Sequence, residues 1–104
     1  MSGALVACVL LLSPASVLPA WAKVLRIVIQ NVAFGEVPAD AHVGDIMEWI
    51  NKDFVAHTAT ARDGSFDVEL PPEKSVQTVL RHAGRIKFYC RYHPTMAGEI
   101  SVAP

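Results

Sequence analysis

The segment from Cys90 to Met96 places a thiol, an imidazole and a thioether within seven residues, in the order Cys90, His93 and Met96. It begins at the end of a predicted strand and continues into a short loop that Gly98 closes. Sulfur ligands favour Cu(I), whereas imidazole nitrogen also accepts Cu(II). These three side chains are therefore the ligands expected for a metal ion that changes its charge by one electron.

A trigonal copper site of this kind needs two imidazoles, one thiolate and a weakly bound thioether. His57 is the candidate for the second imidazole, because a sandwich of sheets would bring the start of its predicted strand beside the Cys90 loop. Taken one at a time, the residues have simpler explanations, since a buried Cys or Met often only fills space in a core. Packing alone does not require their combination, which favours a metal site formed by His57, Cys90, His93 and Met96.

Cys90 is the only cysteine in residues 23–104, so this part of the chain forms no internal disulfide. In an oxidising compartment a lone thiol is usually paired elsewhere, bound to a metal or reactive. Cys90 and His93 could also act as a nucleophile and its base. No third orienting residue or oxyanion donor is evident, so an enzyme is not predicted. A dinuclear copper centre would need a second Cys in the loop, where Pro94 stands instead.

Alternating apolar and polar residues predict short strands after residue 23, and no long helical period is present. Turn signals such as Asp63-Gly64 separate them. A helix is expected only as a turn or two between Ala33 and Ala41. The predicted strands cover residues 24–30, 46–51, 56–62, 66–70, 75–80, 85–91 and 98–102.

About seven to eight short strands bounded by Gly, Pro, Asn or Asp predict an all-β fold, a two-sheet sandwich with Greek-key connections. The chain has no internal repeat, low-complexity segment or linker, so residues 23–104 are expected to form one domain. His42 and His82 are expected on the surface. The aromatic residues expected in or near the core are Trp49, Phe66, Phe88 and Tyr89.

Residues 1–22 contain no acidic or basic side chain and include a short apolar run from Ala4 to Leu12. Ala20-Trp21-Ala22 supplies small residues at the positions that a signal peptidase recognises. The stretch from Ala4 to Ala22 contains two prolines and is short for a membrane span of about 20 residues. We therefore expect a secretory signal peptide that is removed after Ala22, which leaves no membrane span in the mature chain. Retention as an uncleaved anchor is the alternative.

The chain carries 9 Lys and Arg residues against 10 Asp and Glu residues, which gives a net charge of −1. No basic excess and no basic stripe accompany the aromatic residues, so nucleic-acid binding is not predicted. With 52% hydrophobic and 18% charged residues, the composition is typical of a globular protein.

His57 followed by Cys90-x-x-His93-x-x-Met96 resembles the ligand pattern of the cupredoxin (type 1 blue copper) family. The two-residue gap between His93 and Met96 is similar to that of the amicyanin branch, whereas plastocyanin and pseudoazurin have a longer gap. The resemblance extends from residues 46–51 to residues 98–102, and so covers most of the expected mature chain.

This resemblance implies that His57 and His93 provide nitrogen ligands, Cys90 the thiolate and Met96 the axial sulfur for one type 1 copper ion. It implies a one-electron carrier whose donor and acceptor proteins make transient contact near His93. With the expected signal peptide, we expect this carrier to be a monomer in the periplasm. Storage or delivery of copper is the alternative function. The family often has Asn directly after the first His; Thr58 stands there instead, and we expect this to affect redox tuning more than copper binding.

Overall fold

The computed structural model describes Gly3 and residues 22–104, so the predicted signal peptide lies almost wholly outside the described residues. The described part contains eight strands and no α-helix. None of its segments is a helix long and apolar enough to cross a membrane. The strands are β1 (Val24–Ile29), β2 (Ala41–His42), β3 (Ile46–Asn51), β4 (His57–Ala61), β5 (Asp67–Leu70), β6 (Ser75–Val79), β7 (Gly84–Tyr89) and β8 (Ala97–Ala103).

The strands form two sheets, one of three strands in the order β1-β3-β6 and one of five in the order β2-β8-β7-β4-β5. In the smaller sheet, β1 runs parallel to β3 and β6 runs antiparallel to it. The chain changes sheets repeatedly, because β4 and β5 pair with each other while the strands on either side of them in sequence, β3 and β6, pair in the other sheet. The predicted all-β two-sheet sandwich is confirmed.

Alternate residues along β1 and β3 are buried, as the sequence pattern predicts for strands with one face on a core. Strand β4 differs, because all five of its residues are buried. Its side chains are small apart from His57, and Ala59 and Ala61 belong to the hydrophobic core. The opposite face of β4, which carries Thr58 and Thr60, is covered by hydrogen-bonded side chains described below.

The helical turns considered for residues 33–41 are absent, since this segment contains a β-bridge between Phe34 and Ile29 and ends in β2. The cause is a tight reversal after β1, in which the Gly35 N–H donates to the Val28 carbonyl oxygen at 2.7 Å. A Cβ atom at Gly35 would lie only 2.7 Å from that oxygen, so a side chain there would force the two segments apart. The Gly35 N–H and the Ala33 carbonyl oxygen are paired with Val28 and Gln30, so they are not available to close a helical turn.

An aromatic cluster joins the two sheets. The Phe88 ring meets Phe34 and Trp49 edge-on, with centroid distances of 4.8 and 5.2 Å, and Phe66 lies 5.5 Å from Trp49. Trp49 also donates from Nε1 to Thr78 Oγ1 at 3.1 Å, so its polar atom has a partner. The prediction of core and near-core aromatics is confirmed, with Tyr89 half-buried, and so is the exposure of the histidines at positions 42 and 82.

Asp45 ties the beginning of the described fold together. Its side chain is only 1% exposed and accepts hydrogen bonds from Lys23 Nζ at 2.8 Å, the Lys23 backbone N–H at 3.1 Å and the His42 backbone N–H at 2.9 Å. Burial opposes ionisation of the carboxyl, but the bonds from Lys23 and His42 outweigh it and hold the pKa of Asp45 below its ordinary value.

We expect Asp45→Asn to destabilise the protein at neutral pH by about 1.5–3 kcal/mol, the range for hydrogen bonds to a charged group. Because the folded pKa is depressed, the stabilisation is fully present above the unfolded value of about 3.9 and is lost as the pH falls through the folded value. Urea unfolding between pH 7 and pH 3 should therefore show the difference between wild type and variant shrinking with acid. A difference that is constant over this range would contradict the assignment.

Candidate metal centre

Three ligand atoms predicted from sequence meet at one end of the sandwich. His57 is the first residue of β4, Cys90 directly follows β7, and His93 lies in the loop between β7 and β8. His57 Nδ1 and His93 Nδ1 each lie 3.7 Å from Cys90 Sγ. The ligand atoms of all three residues lie within 4.8 Å of one another, and this is the cluster of metal-binding type found among the described residues.

The spacing of these atoms fits a first-row metal ion. Such ions bind thiolate sulfur at about 2.3 Å and imidazole nitrogen at about 2.0–2.1 Å. Two bonds of these lengths span the 3.7 Å between sulfur and nitrogen when they meet at roughly 115°. This angle lies between tetrahedral and trigonal geometry. One soft sulfur and two imidazole nitrogens suit copper among the common metals.

Met96 is held on the buried side of the same loop, with 4% of its surface exposed. Its backbone N–H donates to the His93 carbonyl oxygen at 2.8 Å, and its carbonyl oxygen accepts from the Cys90 N–H at 3.0 Å. These two hydrogen bonds close residues 90–96 into a compact turn. The loop therefore carries the thiol, one imidazole and the thioether as a single unit.

The three clustered side chains differ in their exposure to solvent. His57 and Cys90 are completely buried, whereas His93 is only half-buried and Pro94 beside it is exposed. Among the three clustered side chains, His93 is the one that connects the site to the protein surface.

Thr58 links the two stretches of chain that contribute the cluster. Its backbone N–H donates to Cys90 Sγ at 3.4 Å, and its Oγ1 accepts from the Arg91 backbone N–H at 2.8 Å. Thr58 is completely buried, so these bonds are protected from water. The threonine that replaces the expected asparagine still ties β4 to the Cys90 loop, and it provides a hydrogen bond to the sulfur, an interaction that tunes a thiolate ligand.

A chain of polar side chains extends from Thr58 across β4 to the surface. Thr60 Oγ1 lies 2.9 Å from Thr58 Oγ1 and donates to Asp67 Oδ1 at 2.8 Å. Arg91 contacts Asp67 at 3.3 Å and Glu69 at 3.0 Å through its guanidinium group. These contacts cover the polar face of β4 and fasten the residue that follows Cys90 to β5.

Asp53 contacts the cluster from the loop between β3 and β4, and sequence reasoning missed it. Its Oδ2 lies 2.8 Å from His57 Nε2. A carboxylate can only accept a hydrogen bond, so Nε2 carries the proton and donates it. In a neutral ring this leaves the lone pair on Nδ1, the nitrogen that faces Cys90 Sγ. An acidic residue four positions before a candidate ligand is the only sequence signal for this contact.

The environment of Asp53 favours its ionised form. The hydrogen bond from the Val32 backbone N–H is the largest influence and lowers the pKa of Asp53 below its ordinary value. Partial burial opposes this shift, while the hydrogen bonds from His57 and the Asn31 N–H add to it. The carboxylate beside His57 is thus held as an anion at neutral pH.

Comparisons with known proteins find a relative in sequence and solved structures of similar fold. No protein-family model matches it. The methylamine utilization protein MauL of Methylorubrum extorquens is 31% identical over 90 residues, which are 83% of this chain and 79% of MauL. A purple cupredoxin from Nitrosopumilus maritimus has a TM-score of 0.65 at 24% identity, covering 75% of this chain and 98% of its own. A Cu(I) form of an amicyanin variant has a TM-score of 0.64 at 21% identity, covering 76% and 81% respectively. At these identities, the two structures show a common fold.

Proposed function

Because the chain belongs to the cupredoxin family, we propose that it binds one type 1 copper ion and carries single electrons between redox proteins. The observation that supports this most strongly is the approach of His57, Cys90 and His93 to within 4.8 Å at their ligand atoms. The amicyanin variant that shares this fold is a Cu(I) form. The donor set found here suits the same ion.

In this proposal, His57 and His93 bind the ion through Nδ1, Cys90 through its thiolate, and Met96 weakly through its thioether. When bound, copper would supply the Cu(II)/Cu(I) redox couple, which exchanges one electron at a time. The chain keeps the ligand positions fixed, because His57 begins a buried strand and the other three residues belong to one hydrogen-bonded loop. Fixed ligands suit both oxidation states without rearrangement, which favours rapid transfer and a carrier rather than an enzyme.

Electrons would enter and leave near His93. This residue is the partly exposed member of the cluster, and the neighbouring Pro94 and Tyr92 are exposed. We propose that donor and acceptor proteins contact this end of the monomer transiently. The surface there is mixed in character, since the Arg91 guanidinium and the Glu69 carboxylate lie beside the Tyr92 ring.

The visible spectrum of the protein loaded with Cu(II) tests the electron-carrier function. We expect an intense band from thiolate-to-copper charge transfer that disappears on reduction, because Cys90 Sγ lies within reach of the same ion as both imidazoles. A pale Cu(II) adduct without a sulfur band would contradict the proposal and favour the alternative, copper storage or delivery.

We also propose export to the periplasm with cleavage after Ala22. Cleavage there would turn the Lys23 backbone nitrogen into an ammonium group, and this atom already lies 3.1 Å from Asp45 Oδ1. The buried carboxylate thus offers an anionic partner to the new terminus. The intact mass of the protein secreted from the full chain checks this: a mature chain that starts at Lys23 is expected, and an uncleaved chain or another terminus would contradict it.

A further inference from the structure

The Asp53 carboxylate is surrounded by three hydrogen-bond donors that converge on it. Oδ1 accepts from the Asn31 backbone N–H at 2.8 Å, and Oδ2 accepts from the Val32 backbone N–H at 2.9 Å and from His57 Nε2 at 2.8 Å. The Asp53 side chain is 13% exposed and His57 is completely buried. Such complete use of the two oxygens is more than an incidental surface contact would need.

Two of these donors come from an unusual backbone conformation. Asn31 and Val32 both have positive φ angles, 55° and 56°. Asn tolerates this left-handed region, but a β-branched residue such as Val is strained there. Consecutive N–H groups in such a turn form a concave site for an anion. The anion in this site is the Asp53 carboxylate, so the hydrogen bonds to it offset the strain of the turn.

The backbone of Asp53 is fixed as well. Its N–H donates to Asn51 Oδ1 at 2.9 Å, and Asn51 Nδ2 donates to the carbonyl oxygens of Leu70 and Pro71 at 3.0 and 3.2 Å. The loop between β3 and β4 is therefore attached to the end of β5. Asp53 approaches His57 from a position that is held on both its backbone and its side chain.

We propose that Asp53 is a positioning residue for His57, and that the left-handed turn at Asn31 and Val32 is maintained in order to hold its carboxylate. The carboxylate fixes the tautomer with the proton on Nε2, so that the Nδ1 lone pair faces Cys90 Sγ. The negative charge of the carboxylate, passed on through this hydrogen bond, would stabilise the oxidised, more highly charged ion more than the reduced one. This inference rests on the proposed function only in taking His57 as a ligand.

The test begins with metal-free protein, in which ¹⁵N NMR reports the tautomer of each His57 nitrogen. In wild type we expect Nε2 protonated and Nδ1 unprotonated. In Asp53→Ala we expect a mixture of the two tautomers, because the acceptor is gone. Asp53→Asn serves as a second variant in case the alanine chain does not fold. Asn has the shape of Asp without its negative charge. Its NH₂ group replaces one acceptor oxygen, so either a backbone N–H or His57 Nε2 loses its acceptor.

The second measurement is made on copper-loaded protein. Removing a carboxylate that supports a metal-binding His typically lowers metal affinity by about 10–100-fold. We expect Asp53→Ala to lose Cu(II) affinity in this range and Cu(I) affinity to a smaller degree. Each tenfold selective loss raises the reduction potential by about 59 mV for a one-electron couple.

Asp63→Ala is the matched control, because Asp63 is also a carboxylate but accepts a hydrogen bond from the Ser65 N–H in the turn after β4, at the opposite end of that strand from His57. It should leave both the His57 tautomer and the potential unchanged. An unchanged tautomer and potential in the Asp53 variants, or equal changes in the control, would overturn the inference. Failure of the wild type to bind copper would refute the proposed function instead, and the tautomer of the metal-free protein would still decide the role of Asp53.

Discussion

Replacing Cys90 with Ser should remove the blue colour of the copper-loaded protein completely. A serine hydroxyl stays protonated at neutral pH and is a hard donor, so it supplies neither the charge nor the soft sulfur that Cu(I) prefers. The remaining imidazoles at positions 57 and 93 would hold Cu(II) in a pale complex. Visible absorption during copper titration, followed by reduction, measures the loss directly.

The interpretation of this variant depends on whether the chain still folds. Ser is close to Cys in size, and its Oγ can accept the Thr58 N–H that Cys90 Sγ accepts at 3.4 Å. Thermal unfolding of the metal-free variant should therefore resemble that of wild type. His82→Gln is the control, since His82 is exposed and outside the cluster; it should keep the full colour. A blue Cys90→Ser protein would mean that the thiol is not a ligand.

The clustering of His57, Cys90 and His93 and most of the strands could be predicted from sequence, because their signals are local. The loop donors lie within a single seven-residue segment, and the strand that carries His57 has recognisable turn residues around it. The fold class follows from the same local alternation, and seven of the eight strands agree with predicted segments to within about two residues. Each of these predictions used only residues that are close together in the sequence.

The parts that sequence reasoning missed depend on contacts between distant segments. Strand β2 has only two residues and is defined by its pairing with β8. Two residues are too few to show the alternation of apolar and polar residues that predicts a strand. The donors to the Asp53 carboxylate include backbone N–H groups more than twenty residues away, and a backbone group has no signature in the sequence. Likewise, Thr58 could be recognised as a departure from the family pattern, but its hydrogen bonds required the folded chain.

Phe88→Ala should cause the largest loss of stability among the substitutions considered, about 3–5 kcal/mol. Phe88 is completely buried, and its ring meets Phe34 and Trp49 edge-on across the two sheets. Packing around it is tight, since a Cβ atom added at Gly98 would lie 2.5 Å from the ring. Removing the ring leaves a cavity that neighbouring strands cannot readily fill. Urea unfolding of metal-free protein measures the effect.

Phe54→Ala is a matched control, because the same atoms are removed from a side chain that is 84% exposed. It should change the free energy of unfolding by no more than about 0.5 kcal/mol. The loss of unfolding free energy in Phe88→Leu should lie between those of Phe54→Ala and Phe88→Ala. This variant allows the comparison with position 54 even if Phe88→Ala does not fold. Similar losses at positions 54 and 88 would contradict the assignment of the core.

The Phe88 variants also connect the core to the metal centre. Phe88 lies in β7, two residues before Cys90, and its ring packs against Gly98 in β8, two residues after Met96. The ligand loop is therefore held at both ends by strands that share this ring. A cavity here should loosen the loop as well as the sandwich. We expect Phe88→Leu to broaden the copper absorption band. Phe54→Ala should leave the band unchanged, because Phe54 is not packed in the core.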